Sequence, residues 1–225
     1  MKHILFGILS FLLFSSSQLY SQTIKFENTK LEPVQVSMSR EKLMGKKALK
    51  VIKNSSVKEF DEPTFVRIKD VQFTDGIIEV KVLSRLLKDA SEFARGFIGV
   101  AFRINEDNSR YESIYIRPTN GRAEDQVRRN HAIQYYSYPD FKFDRLRKES
   151  PEKYESYSDM ALNEWITFKI VVNGQQAKLY LNDNKQPSLV VNDLKLGKDT
   201  SGAIGLWVEV GTEGYFSDLK ITKQN

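Results

Sequence analysis

The sequence predicts an all-β protein, a two-sheet antiparallel jelly-roll sandwich, and three observations predict it. Apolar and polar residues alternate in short runs over most of the chain. Turn residues separate those runs, and beyond residue 22 no stretch of twelve residues holds a clean helical period. Alternation with a period of two is what a strand buried on one face requires, because successive side chains point to opposite faces.

The chain opens with a segment that stands apart from the sandwich. Met1-Lys2-His3 is a short positive start, residues 4–14 form an unbroken apolar run, and residues 15–22 are polar. That is the order of a secretory signal peptide, and the run is too short to span a bilayer. Cleavage near Ser21 divides the chain into a signal peptide, 1–21, and one domain, 22–225, secreted or periplasmic after processing. Strands are expected at Ala48–Lys53, Phe65–Lys69, Gly76–Leu83, Gly96–Ile104, Tyr111–Arg117 and Ala132–Tyr138. Further strands are expected at Trp165–Val172, Gln176–Asn182, Ser188–Val191, Ala203–Val210 and Tyr215–Thr222. Thr74-Asp75-Gly76 and Val172-Asn173-Gly174 are Asx-Gly turns, the second a strong hairpin signal. Short helical turns are expected within Ser84–Phe93 and Phe141–Lys148. Two charged segments remain, a loop at Thr119–Asn130 and a longer one at Pro139–Asn163. The second carries enough aromatic residues to pack as an ordered flap.

Composition narrows the function. With no cysteine there is no disulfide, no thiolate nucleophile and no Cys-based metal site. The net charge of +5 is spread along the chain, which suits a uronic or sulfated glycan or simply a solvated surface. There is no dense basic tract for nucleic acid, and no segment after the leader is apolar enough to cross a membrane. His131 is the only histidine beyond His3, which excludes a multi-histidine zinc site. Residues 149–159 are acidic but lack the spacing of a calcium loop, so neither metal nor cofactor is expected.

Strand alternation sorts the candidates. Ile98, Val100, Phe102 and Ile104 form a core set, leaving Phe97, Gly99, Ala101 and Arg103 on the other face. By the same rule Tyr111, Ser113, Tyr115 and Arg117 join that face, with Gln134, Tyr136, Ala203, Gly205, Trp207 and Glu209. Small residues at Gly99, Ala101 and Gly205 would leave a groove beside Tyr115, Tyr136 and Trp207. Sugars bind such grooves through C–H stacking on rings, while Arg103, Arg117 and Gln134 would take the hydroxyls. The plainer alternative is an outer face whose side chains merely support the sheet.

Residues 97–103 (Phe-Ile-Gly-Val-Ala-Phe-Arg) and 111–118 (Tyr-Glu-Ser-Ile-Tyr-Ile-Arg-Pro) resemble paired strands of the DUF1080 family. That family includes 3-keto-disaccharide hydrolase-type proteins and belongs to the concanavalin A-like lectin/glucanase superfamily. Residues 164–170 and 177–182 resemble its later hairpin, and residues 202–207 and 216–221 its closing strands, so the resemblance runs from about Phe73 to Ile221. It implies an arginine and aromatics on the concave sheet, positions matched by Arg103, Tyr115 and Trp207. No Glu-x-Asp-x-x-Glu strand of the superfamily's endo-glucanases is present.

Glycoside hydrolysis ordinarily uses two carboxyl groups. Glu209 is the best single candidate, Glu79 a second from a neighbouring strand, and His131 a proton carrier at the groove rim. Glu209 could instead compensate Arg103 or Arg117, and His131 could be an ordinary surface residue. Glu112 alternates with the core set and would be a buried partner of an arginine. Three readings therefore stand: a glycan-binding domain holding an oligo- or polysaccharide in a groove on the concave sheet, a keto-sugar hydrolase using the same groove, or a non-carbohydrate interaction protein in which the charged Thr119–Asn130 loop and the flap hold a partner protein. A groove plugged by the flap would favour the third.

Overall fold

The computed structural model describes residues 19–224. The apolar run assigned to the signal peptide lies outside them. In chain order the strands are β1 (Leu19–Thr23), β2 (Leu31–Val34), β3 (Val36–Leu43), β4 (Lys46–Lys53), β5 (Phe65–Phe73), β6 (Gly76–Leu86), β7 (Ile98–Ile104) and β8 (Tyr111–Ile116). Two short helices, α1 (Pro118–Gly121) and α2 (Gln126–Asn130), lead to β9 (Ile133–Tyr138), and α3 (Phe143–Glu149) leads to β10 (Glu155–Ser156). The chain closes with β11 (Ile166–Asn173), β12 (Gln176–Leu181), β13 (Leu189–Val191), β14 (Gly202–Val208) and β15 (Thr212–Gln224).

These strands form two antiparallel sheets. The first runs β13-β12-β11-β6-β15-β4-β3, with β1 paired to β15; the second runs β10-β9-β8-β7-β14-β5-β2. Leu49, Val80, Val82, Phe168 and Phe216 of the first sheet meet Ile98, Val100, Ile114, Ile204 and Leu206 of the second in one fully buried cluster. Burying each such side chain stabilises the fold by about 1.5–3 kcal/mol.

Every strand expected from alternation is present, with bounds shifted by a few residues. The strands that alternation missed lie mostly at sheet edges. β3 ends the first sheet, β2 and β10 end the second, and each buries few side chains. β2 even contains Pro33, which an edge tolerates because one side of its backbone needs no ladder donor. The Asn173-Gly174 turn joins β11 to β12 as expected, with Gly174 in the left-handed region at φ 56°. The helical turn expected within Ser84–Phe93 does not form, because β6 continues to Leu86 and turns follow. The flap is ordered as expected: it carries α3 and β10 and buries Leu146, Tyr154 and Met160. The loop at 119–130 contains α1 and α2, and Asp125 caps α2 by accepting the Arg128 N–H at 2.8 Å.

Candidate functional site

The outer face of the second sheet carries the aromatic residues that alternation assigned to it. Tyr115 and Trp207 lie 4.7 Å apart between ring centroids, Tyr136 and Trp207 5.7 Å, and Tyr111 and Tyr136 5.7 Å. These rings do not form an open platform. The segment joining β4 to β5 folds across them, and Trp207 and Tyr136 are fully buried. Trp207 Nε1 donates to the Glu62 carbonyl at 3.1 Å, and the Tyr111 hydroxyl donates to the Asp61 carbonyl at 3.4 Å. The flap then clamps that segment. Tyr138 donates to Glu62 Oε2 at 3.1 Å, Lys142 pairs with the same carboxylate, and Lys142 Nζ also donates to the Phe60 carbonyl at 3.1 Å. The expected gap over Gly205 is filled as well, since a Cβ there would sit 2.9 Å from the Phe65 ring. The aromatic layer is a second small core, so Trp207→Ala is expected to cost about 3–5 kcal/mol of stability. Urea denaturation measures that loss; a variant that instead kept full stability and lost only ligand affinity would contradict it.

Arg103 also departs from the expected face. Between Ala203 and Gly205 the β14–β7 register shifts, and Arg103 takes a left-handed φ of 55°. A bulge of this kind turns the side chain out of the alternation. The guanidinium reaches the β5–β6, β11–β12 and β13–β14 connections, donating to the carbonyls of Thr74 (3.1 Å), Gly174 (2.8 Å) and Gly197 (2.7 Å) and to Asp75 Oδ1 (3.1 Å). It is fully buried there and holds loops together. Gln134 is buried too. It accepts from Arg117 at 3.3 Å and donates to the carbonyls of Tyr135 and Tyr154, so its polar atoms are satisfied within the protein.

The carboxylates divide differently from the sequence expectation. Glu79 lies on β6, in the opposite sheet, and forms no pair with Glu209. Glu112 is buried between the sheets, but it accepts hydrogen bonds from the Tyr135 hydroxyl and the Leu196 N–H, and among the described residues it forms no salt bridge with an arginine. Burial raises its pKa above the ordinary carboxylate value. Glu209 is compensated by Lys53 rather than by Arg103 or Arg117. It also accepts the N–H groups of Asp61 (2.9 Å) and Val210 (2.7 Å), so it anchors the covering segment. Desolvation pushes its carboxyl up, against the pull of Lys53.

Beside the aromatic layer opens a cleft of about 470 Å³. Tyr115, Arg117 and Phe97 line it from the sheet, Asp61 and Phe60 from the covering segment, and Phe143 and Arg147 from α3. Arg95 and Phe93 come from the β6–β7 connection, Asn120, Val127 and Arg128 from the α1–α2 region, and His131 precedes β9. Phe60, Phe93 and Val127 are 39%, 59% and 65% exposed, an apolar fringe around a polar interior. Arg117 packs over Tyr115 at 4.9 Å from its ring centre and donates to its hydroxyl at 2.8 Å. Glu155 pairs with both Arg117 and Arg147 from behind. His131 Nε2 lies 3.4 Å from Glu155, and burial lowers its pKa below the usual histidine value, so its neutral form is favoured at neutral pH.

Asp61 is the residue that strand alternation could not find. It sits in an irregular segment, has a left-handed φ of 53°, and is only 2% exposed. Oδ2 accepts the Phe143 N–H at 3.0 Å. Desolvation raises its pKa to about 7; the Phe143 N–H, Arg117 and Lys142 pull it down, while Glu209 adds to the rise. A carboxyl with that pKa exchanges a proton at neutral pH. The only sequence signal was an acidic pair, Asp61-Glu62, between Phe60 and Pro63.

The structure brings together Tyr115, Arg117, His131 and Glu209 of the expected residues and leaves Arg103, Gln134, Tyr136 and Trp207 out of the cleft wall. No curated protein matches the sequence. Among solved structures, the carbohydrate-binding module CBM66 from Bacillus subtilis is similar over 86% of this chain and 97% of its own, with a TM-score of 0.56 and 14% identity. A Bacillus subtilis protein of unknown function with a galectin-like fold is similar over 88% and 90%, with a TM-score of 0.52 and 10% identity. At these identities the likeness establishes the shared concanavalin A-like sandwich. The model of the family described as the 3-keto-alpha-glucoside-1,2-lyase-like domain matches residues 34–222, most of the chain, and the protein belongs to that family.

Proposed function

We propose that the protein takes a saccharide into this cleft and cleaves a 3-keto-glycoside by 1,2-elimination, with Asp61 as the base. The observation that carries the reading is Asp61: one buried carboxyl, poised near neutrality, facing a cleft with an arginine in it. The family description supports the reaction class.

The chemistry suits a single carboxylate. A ketone at C3 makes the hydrogen on C2 acidic, because the resulting carbanion delocalises onto the carbonyl oxygen. Asp61 removes that proton, the electron pair forms the C1–C2 double bond, and the C1–O bond breaks toward the aglycone. The aglycone oxygen takes up a proton from water in the open mouth of the cleft. Arg117 supplies a positive charge for the oxyanion developing on the ketone. Paired-carboxylate hydrolysis would need a second free acid. Glu209 is held by Lys53 and two backbone N–H groups, and Glu155 by two arginines, so neither offers one. Export of the domain is part of this reading and rests on the leader-like order of residues 1–22.

The test is to incubate the protein with a 3-keto-glucoside and with its unoxidised parent. Elimination yields a conjugated enone, visible by ultraviolet absorbance, from the ketone alone. Cleavage of the parent would overturn the reading. Saturable binding of both sugars without product would leave a saccharide-binding protein and remove the role given to Asp61.

A further inference from the structure

Most cations in and around the cleft have an acidic partner. Arg117 and Arg147 share Glu155, Lys53 pairs with Glu209, and Lys142 pairs with Glu62. Two arginines in its wall do not. Among the described residues, neither Arg95 nor Arg128 forms a salt bridge with any carboxylate. Arg128 is held by neutral acceptors, donating from Nε to Asn120 Oδ1 at 2.9 Å and from Nη2 to Thr119 Oγ1 at 3.1 Å. Arg95 Nη1 donates to the carbonyls of Ala94 and Glu92, which leaves its Nη2 and Nε without a hydrogen bond among the described residues. The two are linked through one residue, because the Thr119 N–H donates to the Arg95 carbonyl at 3.3 Å. Asp125 also lines the cleft, but its carboxylate accepts the Arg128 backbone N–H and lies outside salt-bridge distance of either guanidinium.

We propose that Arg95 and Arg128 form an anion subsite, so that the saccharide this cleft accepts carries a carboxylate or sulfate substituent. This rests on the reading of the cleft as a saccharide site and adds the class of sugar. Two part-buried guanidiniums held near a third, Arg117, repel one another, and a planar or tetrahedral anion relieves that repulsion while accepting their free N–H groups. Burial and the charges of Arg128 and Arg117 lower the pKa of Arg95, and the Glu92 charge offsets this only in part. The exposed Phe93 and Val127 flank the pair in sequence and offer apolar contact for the ring carrying the anion.

The experiment is calorimetric titration of the full domain with methyl glucoside, methyl glucuronide and glucose 6-sulfate, at about 20 mM and about 300 mM salt. The glucuronide or the sulfate is expected to bind at least about tenfold tighter than the neutral glycoside at low salt, with the advantage shrinking at high salt. Which of the two binds tighter tells the carboxylate from the sulfate. Arg128→Gln and Arg95→Gln are each expected to reduce the advantage severalfold, and thermal unfolding verifies that both variants remain folded. Equal binding of the neutral glycoside, or a preference that survives both substitutions, would overturn the anion subsite and leave the saccharide reading standing. Binding of none of the three sugars would count against the saccharide reading itself, and the subsite would fall with it.

Discussion

Asp61→Asn is expected to slow elimination by orders of magnitude while making the protein more stable in mild alkali. The two effects share one cause. Desolvation holds the Asp61 pKa at about 7, against the ordinary aspartate value of 3.8 in an unfolded chain. Below about pH 4 the carboxyl is neutral in both states and the group adds no pH dependence. Between about pH 4 and pH 7 the folded state keeps a proton that the unfolded state has released, so stability falls as pH rises. Above about pH 7 the folded state carries the full burden of a buried carboxylate, on the order of a few kcal/mol. Asn is neutral throughout, can still accept the Phe143 N–H, and tolerates the left-handed backbone at this position. The variant should therefore gain about 4 kcal/mol over the wild type at about pH 8 and nothing near pH 4.

Activity moves the other way. Loss of the general base should reduce turnover by about 10²- to 10⁴-fold. Wild-type turnover should rise with pH through about 7, as Asp61 ionises. Denaturant titrations at the two pH values, alongside an absorbance assay for the enone, measure both effects. A variant that keeps its turnover removes Asp61 from the reaction. One that loses turnover without the alkaline gain in stability shows that burial does not set its ionisation.

Arg103→Met should act on the fold and leave the cleft alone. Methionine matches the aliphatic stem but donates no hydrogen bond, so the carbonyls of Thr74, Gly174 and Gly197 lose a buried donor and Asp75 loses its counter-charge. Removing one partner of such a buried network costs about 3–5 kcal/mol. For a domain of this size that lowers the unfolding temperature by about 10 °C. Turnover per folded molecule should be unchanged, because Arg103 does not line the cleft. If the methionine variant fails to fold, Arg103→Lys, which keeps the charge and some donors, should show a smaller drop in unfolding temperature. Lost activity at an unchanged unfolding temperature would place Arg103 in the site after all.

What sequence determined by itself was the sandwich and the sidedness of its regular strands. A one-sided burial demand writes itself into every second residue, and β6, β11 and β12 carry that signature clearly, while β7, β8 and β14 are buried on both faces. The edge strands β2, β3 and β10 do not, since little of either face is buried. Alternation correctly grouped Tyr115, Tyr136 and Trp207 on one face, but it records direction and not cover. Only the tertiary structure shows the β4–β5 segment and the flap closing over that face, which turns a presumed sugar platform into packing. It also decides where periodicity lapses. The bulge at Arg103 re-aims a side chain that simple counting placed in the groove, and the irregular segment carrying Asp61 has no period to read. The chemistry of the cleft belongs to that second class, because burial next to Phe143, Arg117 and Glu209 gives Asp61 its pKa, and those neighbours come from distant parts of the chain.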